Sequence, residues 1–113
     1  MKIRFEIPGP IVPKQRPRQG RYGHFYTPAE TVDFEDKVGW YALAAGLRGM
    51  KNEIKVTLVC EITPRKDLDN IIKSILDGLK MFFNDTKVTE IHAFKAAVSK
   101  KEERAVVTIE GGI

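Results

Sequence analysis

The chain has 113 residues, of which 42% are apolar and 30% charged, and we therefore expect one ordinary globular domain over residues 1–113. No run of residues approaches the ~20 apolar residues that cross a bilayer. Charged and apolar residues alternate from Lys2 onward, which argues against a signal peptide. The single cysteine, Cys60, excludes an internal disulfide, and we interpret it as a small buried apolar residue. These features are typical of a protein of the reducing cytoplasm.

The positive charge is concentrated in the first quarter of the chain. The formal net charge is +4, from 19 basic and 15 acidic side chains, and residues 1–28 hold six of the basic ones and one acid. Residues 14–21, hereafter the basic loop, contain no acid and four cations, which are candidate contacts for the phosphates of a nucleic acid: Lys14, Arg16, Arg18 and Arg21. Proline and glycine in this segment exclude a regular helix. The planar arginine fork suits phosphate because it binds two oxygens at once.

Three aromatic residues, Tyr22, Phe25 and Tyr26, follow the basic loop directly. Exposed rings next to cations could stack on unpaired bases, which would make the segment a nucleic-acid contact. The alternative is a solvated loop whose aromatic side chains turn into the core. Charge and composition leave both interpretations open.

The first half of the chain predicts a strand, a long loop and a helix. Strict alternation from Lys2 to Ile7 predicts a half-buried strand, and residues 22–26 could add a short one. Thr27 as cap, Pro28 at the first helical position and an acid three residues after the cap predict a helix that runs to about Leu47. Its predicted buried stripe is Phe34, Val38, Tyr41 and Ala45, and Gly46 and Gly49 are predicted to end it.

The second half predicts three strands and a second helix. Alternation from Ile54 to Ile62 gives the clearest strand. A helix is predicted from about Asn70 to Phe83, followed by strands at 88–98 and 104–110 that would form a hairpin through the turn at 99–103. The apolar face of this helix is Ile72, Ile75, Leu76, Leu79 and Phe83.

This order of elements predicts an α+β fold: a small mixed β-sheet with two helices packed on one face. If the strand from Ile54 and the strand from Val88 are parallel neighbours, the helix between them is a right-handed crossover.

Acidic residues concentrate around the second predicted helix. Asp67 and Asp69 lie at the junction of strand and helix, where extended backbone would put both side chains on the same side. Asp69 also occupies the expected cap position. Lys73 and Asp77 follow at helical spacing and form one polar stripe with Asp69, and Asp85 closes the helix from its far end.

This pattern favours a metal-dependent site. Mg²⁺ is usually held by one or two carboxylates together with water and substrate phosphate, and a lysine one helical turn away can offset charge on a phosphoryl group. Each residue also has a simpler interpretation. Asp69 would then be a helix cap, Asp77 and Lys73 a surface ion pair, and Asp85 a turn former. The pattern favours the functional cluster over these alternatives.

The central motif resembles the RusA family of Holliday junction resolvases. The motif is Arg65-Lys-Asp-Leu-Asp-Asn-Ile-Ile-Lys73, then Asp77-Gly-Leu79, then Phe83-Asn-Asp85. The Pro13–Arg18 segment, the Tyr26–Pro28 helix start and the Val88–Lys95 strand are similar as well, so the resemblance covers nearly the whole chain. Two positions depart from the family pattern: Asn84 replaces one of two acids, and Gly78 replaces an alanine.

The resemblance implies a homodimeric, metal-dependent endonuclease of a bacterium or its phage that cuts two opposed strands of a four-way DNA junction in recombination or repair. Mg²⁺ would be the cofactor, with Mn²⁺ as a substitute. By position, the metal-binding and catalytic carboxylates would be Asp67, Asp69 and Asp85, the catalytic lysine would be Lys73, and Asn70 and Asp77 would support them.

Two other functions fit the same residues. The first is a branched-DNA-binding protein that does not cut, although the intact carboxylates and Lys73 argue against it. The second is a nuclease of the same chemistry that acts on flaps or other branched DNA.

Overall fold

The computed structural model describes residues 1–111, which form six strands and two α-helices. The elements are β1 (Lys2–Pro8), β2 (Arg18–Gln19), β3 (Phe25–Tyr26), α1 (Ala29–Ala44), β4 (Ile54–Ile62), α2 (Leu68–Gly78), β5 (Val88–Ala97) and β6 (Arg104–Gly111). Short 3₁₀ turns lie at Arg21–Gly23, Asp85–Lys87 and Lys100–Glu102. The predicted β1 and β4 are confirmed, and β4 has the predicted bounds.

Four strands form one mixed sheet in the order β1-β6-β4-β5. β4 and β5 run parallel and are joined through α2, whereas β6 is antiparallel to both β1 and β4. This α+β architecture confirms the predicted fold class. The remaining two short strands, β2 and β3, form a separate antiparallel hairpin.

The predicted hairpin between the last two strands is wrong. β6 lies between β1 and β4, on the opposite side of β4 from β5. The physical reason is burial. β6 buries Ala105 and Val107 on one face and Val106 on the other, whereas no residue of β5 is fully buried. A strand that is apolar on both faces belongs in the centre of a sheet, and the more polar β5 takes the edge.

The core lies between one face of the sheet and the two helices. Alternate residues of β4 are fully buried there: Ile54, Val56, Leu58, Cys60 and Ile62. Phe5 and Ile7 of β1 and Val107 and Ile109 of β6 complete this layer. Burial raises the pKa of the Cys60 thiol to about 11, so the interpretation of Cys60 as a small apolar residue fits the structure.

The first residue of helix α1 and the set of residues on its buried face both differ from the prediction. It starts at Ala29 with Pro28 at the cap position, and Thr27 does not cap it. Phe34 and Val38 are buried as predicted, but Tyr41 and Ala45 are exposed. The buried positions that the prediction missed are Thr31, Gly39 and Ala42.

The buried face of α1 includes Gly39 because α2 approaches α1 closely at this residue. Gly39 lies against Gly78 of α2. The helix ends at Ala44, before the predicted Leu47, and Gly46, whose φ of +97° favours glycine, follows its last turn as the predicted terminating residue. Gly49 plays no part in that ending.

Helix α2 is shorter than predicted and ends at Gly78 rather than near Phe83. A Cβ at Gly78 would lie 2.7 Å from the Cβ of Val38 and 2.8 Å from the Glu35 carbonyl oxygen. Glycine at this position therefore permits the contact between the two helices. The chain then turns, and Leu79, Phe82 and Phe83 still reach the core from non-helical backbone.

Candidate active site

The first two aspartates lie at the start of α2, beyond the carboxyl end of β4. Asp67 is the cap residue of α2, and Asp69 lies in its first turn. The prediction that both side chains project from extended backbone is wrong, as is the prediction that Asp69 is the cap, because α2 already begins at Leu68. Both side chains are exposed. Neither has a hydrogen-bond or ion-pair partner among residues 1–111, and Lys73 one turn later is equally free.

A buried carboxylate that the sequence did not reveal braces the turn before Asp67. The side chain of Glu103 accepts hydrogen bonds from the backbone N–H of Thr63 (2.9 Å) and Ile11 (3.1 Å) and from Lys66 Nζ (2.6 Å). Desolvation alone would raise the pKa of Glu103, but these three donors outweigh it and hold the pKa below its usual value. No sequence signal distinguishes Glu103 from the exposed Glu102 next to it.

Lys95 near the end of β5 braces the same turn from the other side. Its Nζ donates to the carbonyl oxygens of Pro64 (2.9 Å) and Lys66 (2.7 Å). The lysine that the family resemblance places at the end of this strand thus contacts the backbone immediately before Asp67. Two side chains, Glu103 and Lys95, hold the turn through its backbone and leave the aspartates themselves unbonded.

The basic loop is tied to α2 at its first residue. The backbone N–H of Lys14 donates to the carbonyl oxygen of Asn70 (2.8 Å), and Lys14 Nζ lies 3.0 Å from Glu35 and 2.9 Å from Asp77. Burial by itself would lower the pKa of Lys14, but the two carboxylates outweigh it and raise the pKa above its usual value. Lys14, which the sequence groups with the DNA-binding arginines, therefore occupies an anchoring position between the two helices.

Asp77 differs from the other acidic residues because it is paired. It contacts Lys14 and Lys80 (3.0 Å), and not Lys73 as the ion-pair interpretation proposed. Desolvation would raise the pKa of Asp77, but the two lysines lower it overall. Asp77 thus holds the basic loop, together with the backbone of Asn70, and the supporting role of both residues at the active site stays a prediction.

Beyond Lys14 the basic loop leads into the β2–β3 hairpin, which is a separate sheet from the four main strands. Its three arginines, Arg16, Arg18 and Arg21, are exposed. Tyr22 is 91% exposed and Phe25 is 72% exposed, so these rings are not part of the core. Of the two interpretations left open by the sequence, the structure favours the one in which cations and ring faces are both available to a ligand.

The third predicted ligand, Asp85, lies at the other end of α2. It is exposed in a 3₁₀ turn in which the side chain of Asn84 accepts a hydrogen bond from the N–H of Thr86 (3.0 Å). The charge of Asp85 acts on Lys80, whose pKa is raised mainly by its hydrogen bond to Asp77 and further by Asp85. The eleven residues of α2 rise about 1.5 Å each, so the two ends of the helix are roughly 15 Å apart.

The topology keeps these two ends apart. Asp67 follows Ile62 at the end of β4, whereas Asp85 precedes Val88, which pairs with Ile54 at the start of β4. Within residues 1–111, no three histidine, cysteine or acidic side chains are close enough to hold a metal ion. Asp67 and Asp69 suffice for a Mg²⁺ site without a third carboxylate, because this ion is commonly held by one or two carboxylates together with water and phosphate. One chain does not bring Asp85 to them.

Two exposed carboxylates on the helix that also anchors a basic loop suit a protein that acts on the phosphates of nucleic acids. The sequence model of the family described as Endodeoxyribonuclease RusA matches residues 8–110. The chain therefore belongs to the RusA endodeoxyribonuclease family, which confirms the resemblance seen in the sequence. A comparison with curated proteins found no match. No helix within residues 1–111 has the length and apolar character needed to cross a membrane.

Proposed function

We propose that this protein is a metal-dependent endonuclease that resolves four-way DNA junctions by paired symmetric cuts in recombination, repair or phage DNA processing. One observation carries the proposal. Asp67 and Asp69 are exposed at the start of α2 and have no side-chain partner within residues 1–111, and the adjacent residue Asn70 is bonded to the first residue of the basic loop. Phosphate-binding groups and metal-binding groups are therefore fixed to the same helix.

Each group of residues has a distinct role in this proposal. Arg16, Arg18 and Arg21 bind backbone phosphates, and the neighbouring rings stack on bases exposed at the branch point. Asp67 and Asp69 hold Mg²⁺, for which Mn²⁺ substitutes, and water and substrate phosphate complete the shell of the ion. When bound, the metal supplies an activated water and stabilises the leaving oxygen.

Lys73 lies one helical turn beyond Asp69 and carries no other interaction within the described chain. Its ammonium group offsets negative charge that develops on the phosphoryl oxygens. A two-fold homodimer acting in the cytoplasm presents two such sites, matching two strands that the junction's own symmetry relates.

The test compares cleavage of a labelled four-way junction with cleavage of a linear duplex of the same sequence, without metal and with Mg²⁺ or Mn²⁺. We expect paired symmetric nicks in the junction only when metal is present. Asp69→Asn is expected to lower the rate by at least ~100-fold, the usual cost of losing one preorganised electrostatic contact, with junction binding retained. The matched control is Asp36→Asn, an exposed aspartate of α1, which should cut at the wild-type rate.

Three outcomes would contradict the proposal. Equal cleavage of linear duplex would indicate a general nuclease. Faster cleavage of flaps than of junctions in a substrate panel would indicate a flap nuclease. Tight junction binding without cleavage under either metal would indicate a branched-DNA-binding protein.

A further inference from the structure

A cleft that the proposed function does not use lies between the loop after β1 and the first half of α1. Its volume is about 500 Å³, which falls in the ~300–1,000 Å³ range of pockets that bind small ligands. Its apolar surface is formed by four residues: Ile11, Val12, Pro13 and Phe34. Ile11 and Phe34 belong to the core, so this surface is held in place by the fold and is preformed for an apolar or ring-shaped group.

The rim of the cleft carries charges of both signs, from two acids and three lysines: Glu30, Asp33, Lys37, Lys66 and Lys100. The buried carboxylate of Glu103 neutralises Lys66, so two acids face two remaining lysines and the rim is close to neutral. A phosphate group would meet the two carboxylates. A neutral ring with hydrogen-bond donors and acceptors along its edge can use the carboxylates and the ammonium groups together. Nucleobases have this chemistry.

The cleft adjoins the residues that the proposed function assigns to DNA. Gln15 lines it directly before the exposed Arg16, and Gln15 Nε2 donates to Glu30 Oε2 at 3.4 Å. This bond is long, so the edge of a ligand can replace it. Lys66 also lines the cleft, and Asp67 is the next residue, with its Cα about 3.8 Å from that of Lys66. A DNA strand that contacts both Arg16 and Asp67 therefore passes the mouth of the cleft.

We propose that the cleft receives one base that has left the stack at the branch point of the junction. The ring lies on the apolar surface, and its edge is hydrogen-bonded to the rim. Unstacking costs least where base pairing is already interrupted, as it is at a branch point. The captured base fixes the strand beside Asp67 and so determines which phosphate reaches the carboxylate pair.

This inference rests on the proposed function, since it names a contact that positions the substrate of that site. It concerns a different surface from the exposed rings of Tyr22 and Phe25, which lie on and beside the β2–β3 hairpin.

The first test captures the base through a disulfide bond. Asp33→Cys places a thiol on the rim, and the control Ala44→Cys places one on the same helix, roughly 16 Å away. Both positions are exposed, so neither change enters the core. The native thiol of Cys60 is buried and its pKa is raised to about 11, so it does not react.

The junction in this test carries a short disulfide-ended tether on one base next to the branch point, and divalent metal is left out to prevent cleavage. We expect at least ~10-fold more cross-linked DNA with Asp33→Cys than with Ala44→Cys, because a captured base holds the tether beside the thiol at high effective concentration. A linear duplex with the same tether should give only the control level, because its base stays paired.

The second test removes the base and keeps its phosphate. An abasic nucleotide at the same position should weaken junction binding by about 10-fold, the order expected for the loss of one stacked base. The slope of log affinity against log salt concentration should not change, since no phosphate contact is lost. A bulky maleimide is then attached to Asp33→Cys to cover the cleft. This protein should bind the intact and abasic junctions equally well, whereas labelled Ala44→Cys should retain the difference.

The outcomes separate this inference from the proposed function. If wild type resolves junctions but Asp33→Cys captures the base no better than Ala44→Cys, the inference is overturned and the function stands. If Asp33→Cys captures the base but wild type cuts no junction under either metal, the base site stands and the endonuclease function fails. An abasic effect that persists after the cleft is covered would place the base elsewhere and overturn the inference. A protein that binds no junction overturns both.

Discussion

The two ends of α2 hold their aspartates in different ways. At the start of the helix, the turn before Asp67 is bonded to Glu103 and Lys95, which come from distant parts of the chain. At the other end, Asp85 lies in an exposed 3₁₀ turn whose side-chain cap comes from its immediate neighbour Asn84. One end is fixed by tertiary contacts and the other by a local contact.

The difference indicates how rigidity is distributed around the site. The braces at the start of α2 contact backbone atoms, so the side chains of Asp67 and Asp69 keep their oxygens for other ligands. A carboxylate pair in a fixed position reduces the entropy lost when a metal ion or phosphate binds. The local turn at Asp85 can adjust to a neighbouring surface without disturbing the core, because no residue of that turn is buried.

The largest expected effect comes from removing the brace at the start of α2. Glu103→Gln removes the charge that pairs with Lys66 in a buried position. We expect the free energy of unfolding to fall by ~3 kcal/mol, because a buried ion pair that loses one partner is strongly destabilising. Chemical denaturation measures this change. The neighbouring exposed residue provides the control, and Glu102→Gln should change stability by less than ~0.5 kcal/mol. Equal losses in the two variants would show that Glu103 is not a brace.

The same variant gives a pH test of that brace. The folded-state pKa of Glu103 lies below its ordinary value of 4.5, so its ionised form stabilises the fold above that pH. This contribution is lost as pH falls through the folded-state pKa. We expect the stability difference between wild type and Glu103→Gln to be constant from pH 7 to about 5.5 and to shrink at lower pH. A difference that grows on acidification would contradict the assigned role.

A smaller effect is expected at the opposite end. Asn84→Ala removes the cap of the 3₁₀ turn, and we expect a loss of ~0.5–1 kcal/mol in the free energy of unfolding. Asn84→Asp keeps an acceptor for the Thr86 N–H and should restore most of this stability. A loss in Asn84→Ala as large as that in Glu103→Gln would remove the distinction between the braced end and the local one.

The basic loop allows the finest comparison, because one of its cations is anchored and the others are free. Replacing Arg16 and Arg18 by alanine should flatten the slope of log affinity for junction DNA against log salt concentration by ~1 unit per lost phosphate contact. Lys14→Ala should leave this slope unchanged and lower stability instead, since its amino group is held by Glu35 and Asp77. An unchanged slope in the arginine variants would place the loop off the DNA.

The parts of the fold that the sequence predicted are those governed by local periodicity. β4 was predicted with its observed bounds because five alternating apolar residues face one core. The predicted buried face of α1 was correct at Phe34 and Val38 and wrong at Tyr41 and Ala45. Burial after Val38 depends on the position at which α2 packs against α1, next to Gly39. The predicted hairpin of β5 and β6 was wrong because the prediction relied on their adjacency in sequence. The burial of β6 on both faces places it in the centre of the sheet, and this burial is evident only once the sheet is assembled.

The candidate site was predictable in its residue types but not in its arrangement. Asp67, Asp69 and Lys73 were identified by spacing and by resemblance, and none of the three side chains has a partner in the part of the chain that the structure describes. The separation of Asp85 depends on the direction of α2 relative to β4, which spacing does not encode. Glu103 could not be identified, since its burial comes from the loop at Ile11 and the turn at Thr63, more than 35 residues away in sequence.

The central position of β6 has a consequence for how the protein is made. β6 leaves the ribosome after the three other strands of its sheet, yet it joins β1 to β4, and Glu103 precedes it immediately. Until residues 103–111 are synthesised, β1 has no neighbour in the sheet and the turn before Asp67 lacks its buried carboxylate. Contacts of such large sequence separation form late in folding. The braced form of the carboxylate pair therefore appears only after β6 has been synthesised and has paired with β1 and β4.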